Sequence, residues 1–233
     1  MVAFLAHRAL GSKAVAVTLT GPAVSSEEIA GAVEVARAIG IRHVVLPSNP
    51  LADSRYSANP TNRCYFCRNH EGDLLREWGA TNAIESYLDG VHLDDFGDDR
   101  PGLRAMNEHG FQHPLAEAGW SKADVRAYAR DAGIPNWARP SNACLASRIP
   151  HGQPVTADLL ERVGRAEAWL TARGFRRVRV RVAGTGARIE VDPDEVPRLL
   201  AESTAVPLQD AMIGLGFATV EIDPNGYRSR SSA

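Results

Sequence analysis

Long apolar runs are missing from this chain of 233 residues, which excludes a bilayer-spanning helix, a structure that needs about 20 such residues in a row. An excess of one charge is missing too. Lys and Arg number 26 against 28 Asp and Glu, so a formal net charge of −2 draws the chain neither to nucleic acid nor to an anionic membrane. Aromatic residues make up 6% and do not interleave with the basic stretches, as a single-strand nucleic-acid groove would need. Cysteines number three, and an odd count argues against a secreted disulfide framework. In a reducing cytoplasm, the expected compartment, such thiols act as metal ligands, redox groups or nucleophiles. The opening MVAFLAHRALGSK has no basic lead-in and no small-residue cleavage site, so no signal peptide is expected. What is present is the ordinary composition of a globular protein, 44% hydrophobic and 23% charged, in a length that suits one large domain or two small ones.

KAVAVTLTG (13–21) is β-rich and closed by a Gly-Pro turn, which predicts a strand. SSEEIAGAVEVARAIG follows, with Ser25 and Glu28 as a capping box and Ile29, Ala32, Val33 and Ala36 on one helical face. RHVVLPSN reads as a second strand, so the three segments form a βαβ unit and imply a parallel sheet. A polar helical stretch runs to Trp78, and AIESYLDG (83–90) is a third strand candidate. SKADVRAYARDAG is a helix started by Ser121 and stopped by Gly133 and Pro135. The proline-bearing segment 135–154 looks like a domain junction. Beyond it, Thr156 caps a helix with the stripe Leu159, Leu160, Val163, Ala166 and Leu170; RVRVRVAGTGARIEVD predicts two strands about a Gly-rich turn, and ATVEID a last one. The expected fold class is α/β, residues 1–150, followed by a small α+β domain, residues 151–233.

Three stretches carry candidate chemistry. In NRCYFCRNH, Cys64 and Cys67 form a C-x-x-C, and Cys144 lies far along the chain in NACLASR beside Ser147 and Arg148. If the loops meet, three thiolates suit a Cys3His zinc site with His70, or an iron–sulfur cluster with one iron free of protein ligands; spacing alone does not choose. LDGVHLDDFGDDRPG packs Asp89, Asp94, Asp95, Asp98 and Asp99 into one segment, either a solvated acidic turn or carboxylates for Mg2+ on a nucleotide phosphate. RRVRVRVAG puts Arg177, Arg179 and Arg181 on one strand face, an ordinary half-exposed strand or a seat for a phosphate or carboxylate.

Together NPTNRCYFCR, DGVHLDDFGDDRPGLRA, PLAEAGWSKADVR, RPSNACLASRIPHG, RVRVRVAGTGARIEVDP and the closing GYRS resemble the LarE-type ATP-dependent sulfur transferases, within the PP-loop ATP pyrophosphatases. The resemblance runs from Lys13 to Ser229. It implies an incomplete Rossmann-like, adenine nucleotide alpha hydrolase-like parallel sheet, and an enzyme that sulfurates pyridinium-3,5-biscarboxylic acid mononucleotide on the way to a nickel-pincer nucleotide cofactor. It also implies ATP with Mg2+ held near Asp89, Asp94, Asp95 and Asp98, a small-molecule nucleotide substrate contacted by Tyr65, Ser147, Arg148, Arg179 and Arg181, and a homo-oligomer without nucleic-acid or membrane partners. Cys144 matches the catalytic cysteine. Members with the C-x-x-C hold a [4Fe-4S] cluster on three cysteines, here Cys64, Cys67 and Cys144. Tyr65 and Phe66 would either stack on the pyridinium ring or simply pack.

One departure stands out. The family's ATP-binding loop, S-G-G-x-D-S, occurs nowhere in the sequence, and neither AGTGA nor GLGF has the strand–loop–helix context to replace it. Residues 1–17 match the portion that follows that loop in the family. The expectation is therefore a start site placed too late or a degenerate relative, weak ATP binding, and a first sheet without its central strand. A structural zinc module and a tRNA-modifying relative remain as other readings.

Overall fold

The β-branched run after Ala14 forms strand β1 (Val15–Thr20) in a computed structural model that describes residues 1–97, 100–140 and 142–228, with the backbone alone at 202–205. Two compact units divide the chain, Met1–Ser141 and Asn142–Ala233. The division falls ahead of the 150/151 boundary expected from sequence, and Cys144 belongs to the second unit.

In the first unit α1 (Val2–Leu10) precedes β1, and α2 (Ser26–Ile39) carries the chain over to β2 (Arg42–Pro47). The strands pair in parallel from Val15↔Arg42 to Thr20↔Pro47, as a βαβ crossover requires. Ser25 caps α2 by accepting from the Glu28 amide at 3.3 Å, and Gly40 ends it at φ 73°, a left-handed conformation that glycine enters without a Cβ clash. The Glu28 carboxylate pairs with Arg139 at 2.9 Å. Ala14, Ala36 and Ile41 make a small buried core with Ala3, Ala6, Ala16 and Ile39 packed on it. Such small side chains allow close approach but bury little apolar area. Every residue of β1 is only half-buried, and no third strand joins this sheet among the described residues. A parallel sheet is ordinarily covered on both faces. This one is thinly clothed.

The strand expected over 83–90 does not form. Its one pairing is a parallel bridge, Leu88 with Gln112. Pro114, two residues on, lacks an N–H and starts a helix instead of extending the partner. The short α3 (Ser54–Ser57) leads to α4 (Arg63–Thr81), and α5 (Pro101–Glu108), α6 (Pro114–Glu117) and α7 (Lys122–Asp131) complete the unit. Helix α4 is glycine-notched. A Cβ on Gly72 would stand 2.4 Å from the His109 ring, and one on Gly79 would stand 1.8 Å from the Tyr87 hydroxyl. Those absent methyls let both rings lie against the helix.

The second unit packs α8 (Ala157–Thr171) on a mixed sheet in the order β3 (Arg179–Ala183), β4 (Gly186–Glu190), β5 (Val220–Ile222), with α9 (Val196–Leu200) and α10 (Glu202–Gly214) between the last two strands. β3 and β4 are antiparallel about Gly184 at φ 61°, and β4 and β5 run parallel. Thr156 caps α8 by accepting from the Leu159 amide at 3.2 Å. Of the expected stripe, Leu160, Val163, Ala166 and Leu170 are fully buried, as are Val180 and Ile189 of the sheet, while Leu159 is half-exposed. Each fully buried Leu or Val contributes about 1.5–3 kcal/mol relative to exposure. This unit has the larger core. No helix among the described residues is long and apolar enough to cross a membrane.

Candidate active site

The C-x-x-C lies inside α4. Cys64 is exposed and Cys67 half-buried, and residues three apart on a helix are neighbours, with Cβ atoms about 5–6 Å apart. The Cys67 thiol is 3.5 Å from Glu71 Oε1. Tyr65, between the cysteines, donates its hydroxyl to Glu108 Oε2 at 2.6 Å, and Arg104 lies over its ring at 4.6 Å from the centroid. The hydrogen bond to Glu108 is the main reason the phenol pKa lies above its usual value. Phe66 meets Tyr65 edge-on and carries Arg55 over its own ring at 5.0 Å. Both aromatics therefore already contact a guanidinium.

The acidic segment is held by local contacts. Asp89 Oδ1 lies 2.7 Å from His113 Nδ1 and accepts from the Val91 amide at 3.1 Å. Asp94 accepts from the Lys122 amide at 2.8 Å. Asp95 accepts from the His92 amide at 3.1 Å and pairs with Arg100. Asp98 lies outside the described residues. Each of the three described carboxylates thus fastens its own turn to a neighbour.

In the second unit Cys144 heads a tight turn, Leu145–Arg148. Its thiol is exposed while Leu145 and Ala146 below it are buried, Leu145 against Gly164 of α8, where a Cβ would come within 3.1 Å. The Cys144 carbonyl accepts from the Ser147 amide at 2.9 Å and from Arg148 Nη1 at 3.2 Å. Arg148, 2% exposed, also donates to Ala143 O at 2.8 Å, Ser147 Oγ at 2.7 Å and Asn142 Oδ1 at 3.1 Å. Its remaining bonds go to Glu167, from Nε at 2.7 Å and Nη2 at 3.1 Å. Removing one partner of a buried, bidentate pair costs about 3–5 kcal/mol. The exposed Arg165–Glu161 pair at 4.0 Å belongs to the class worth about 0–1 kcal/mol. The buried pair dominates.

Glu167 Oε1 also accepts from the Val180 amide at 3.0 Å, so the turn is tied to β3. On that strand Arg179 is buried, donates to Val178 O at 2.7 Å and lies under the Tyr227 ring at 5.0 Å. Burial first, and then the Arg148 charge, lowers its pKa from the guanidinium value. Arg181 donates to Glu190 Oε1 at 2.5 Å and Arg177 pairs with Asp192 at 3.4 Å. Glu190 of the next strand and Asp192 just beyond it are thus the carboxylate partners of Arg181 and Arg177. Glu190 Oε2 is buried with no hydrogen-bond partner among the described residues.

Two relatives span more than nine-tenths of the chain. An uncharacterised protein of Synechocystis sp. is 39% identical over 229 residues, 98% of this chain and 85% of that protein. The pyridinium-3,5-bisthiocarboxylic acid mononucleotide synthase of Lactiplantibacillus plantarum is 32% identical over 214 residues, 92% of this chain and 77% of the synthase. The chain belongs to this synthase family. A Methanocaldococcus jannaschii protein, 27% identical over 171 residues, covers 73% of the chain and 66% of its own length. No protein-family model matches the chain.

For a member of the synthase family the residues gather in two places. Cys64, Tyr65 and Cys67 share one helix in the first unit; Cys144, Ser147, Arg148, Arg179 and Arg181 share a turn and the adjoining strand in the second. Three thiols are the right donor chemistry for iron or zinc, but among the described residues no three His, Cys, Asp or Glu side chains are grouped to hold a metal ion. Sequence reasoning missed Glu167 and Glu190. Glu167 falls four residues after Val163 and three before Leu170, on the buried stripe of α8, and a carboxylate on an apolar face needs a buried cation. Glu190 could have been found from the hairpin, which sets it opposite Arg179.

Proposed function

We propose that the chain transfers sulfur to a carboxylate of pyridinium-3,5-biscarboxylic acid mononucleotide, with Cys144 at the reacting centre. What supports this most is an exposed thiol on a turn pinned from below, in the same unit as the buried Arg179 and the half-exposed Arg181. In the proposed reaction a substrate carboxylate oxygen attacks the α-phosphorus of ATP and pyrophosphate leaves. A sulfur nucleophile then adds to the carbonyl of the acyl adenylate, and AMP departs with its bonding pair, leaving a thiocarboxylate. Asp89, Asp94, Asp95 and Asp98 would serve Mg2+ and the nucleotide. Arg179, Arg181, Ser147 and Tyr65 would meet the substrate's phosphate, carboxylates and ring, with Arg148 behind Ser147. Cys64, Cys67 and Cys144 are the proposed ligands of a [4Fe-4S] cluster, which when bound supplies an exchangeable sulfide. Because S-G-G-x-D-S is not in the sequence, residues 1–233 are expected to bind ATP weakly.

The deciding experiment is mass-spectrometric detection of thiocarboxylate with substrate, ATP and Mg2+, comparing the chain with its Cys144→Ala variant. The variant is expected to lose sulfur transfer while its circular dichroism stays unchanged, because the side chain is exposed. Undiminished product from the variant would remove Cys144 from the reaction.

A further inference from the structure

We propose that Glu167 is a positioning residue for the Cys144 thiol, a role that rests on the reading of Cys144 as the reacting centre. The connection is continuous. Glu167 grips Arg148 through two nitrogens at 2.7 and 3.1 Å and fastens the edge strand through the Val180 amide at 3.0 Å. Arg148 Nη1 reaches the Ala143 and Cys144 carbonyls and the Ser147 hydroxyl, and Nη2 reaches the Asn142 side chain. Every N–H of the guanidinium therefore holds either the carboxylate or the turn. Arg148 and Glu167 place the sulfur from beneath it.

The brace meets the turn along its exposed upper part. Asn142, Ala143 and Cys144 are all exposed; burial begins only at Leu145 and Ala146. Cys144 itself sits at φ −59° and ψ 155°, with its carbonyl directed to two donors and its side chain left in solvent. Neutralising Glu167 leaves Arg148 as a buried cation without its counter-charge. Such a group draws water or reorients, and then the carbonyls at 143 and 144 lose their donor. The thiol would remain chemically intact yet wander. A carboxylate whose only part is to hold the unit folded would behave otherwise: its loss would lower stability and leave the turn rigid in the molecules still folded.

The experiment is a nitroxide spin label on Cys144 in a Cys64→Ser/Cys67→Ser chain, where it is the single thiol. Glu167→Gln keeps an acceptor for the Val180 amide but loses the charge, so the fold is expected to survive by circular dichroism. Its paramagnetic spectrum is expected to lack the immobilised component expected with Glu167. Arg148→Lys, which keeps the charge but not the fork, should lose it as well, and provides the same reading if Glu167→Gln does not fold. In sulfur-transfer assays with unlabelled Cys144, Glu167→Gln is expected to lower kcat by about 100-fold with KM little changed, the pattern of a misplaced reacting atom. An unchanged spectrum in a folded variant overturns the proposal, and so does a loosened turn with kcat intact. Undiminished sulfur transfer by Cys144→Ala would overturn the reading of Cys144, while the label spectra would still judge the brace.

Discussion

Tyr65 is the residue whose chemistry depends most visibly on one neighbour. Its hydroxyl donates to Glu108 at 2.6 Å, and this bond raises the phenol pKa above 10.0. Only the protonated phenol can donate, so the folded state holds this proton more tightly than the unfolded chain. The stabilisation is whole below pH 10.0 and is lost as pH climbs through the raised folded value. Titrating phenolate absorbance in a chain with Glu108→Gln should bring the Tyr65 transition back toward the ordinary phenol range. A transition that does not move would show that Glu108 is not the cause. Arg148 and Arg179 differ from Tyr65 in kind: both are buried guanidinium groups, and their contacts hold the turn and the strand on which Cys144 and Arg181 stand.

At the scale of elements, α4 shows how an unpromising sequence makes a site-bearing helix. It has few apolar residues, and its close approach to α5 depends on absent side chains. Gly72 faces the His109 ring, and Gly102 at the start of α5 lies against the Cys64 carbonyl and the Arg68 stem. Gly72→Ala would push a methyl group to 2.4 Å from a half-buried ring, not a flexible chain end that could step aside. Overpacking of that kind costs about 1–3 kcal/mol, and urea denaturation should show a lower midpoint with an unchanged slope. An Ala variant as stable as the parent would mean that α5 is free to shift. In the second unit α8 contributes both an apolar stripe and, through Glu167, the carboxylate beneath the Cys144 turn.

For the whole molecule the question is which inorganic centre, if any, the three cysteines hold. Cys64 and Cys67 belong to one compact unit and Cys144 to the other. The proposed cluster predicts that anaerobic reconstitution with iron and sulfide yields a coloured protein with equal iron and sulfide, and that Cys64→Ala removes the colour. A colourless protein carrying stoichiometric zinc would sink the cluster and restore the zinc reading. Family membership places the chain beside a nucleotide-sulfurating synthase.

Periodicity made the helices α2, α7 and α8 legible, together with their caps Ser25, Ser121 and Thr156, because the signals are local: a 3.6-residue stripe and a hydroxyl at the first turn. The parallel β1–β2 pair and the β3–β4 hairpin were legible for the same reason. The segment 83–90 was misread, since a strand exists only where a neighbour offers a ladder, and Pro114 withdraws it. Cys64, Cys67 and Cys144 could be named in advance from residue type and spacing. Their surroundings could not: Glu108 under the Tyr65 hydroxyl, Glu167 across from Arg148 and Tyr227 over Arg179 are meetings between distant segments. Such partners are chosen by how the elements pack, because the energy of a buried charge depends on what lies within a few ångströms and not on what adjoins it along the chain.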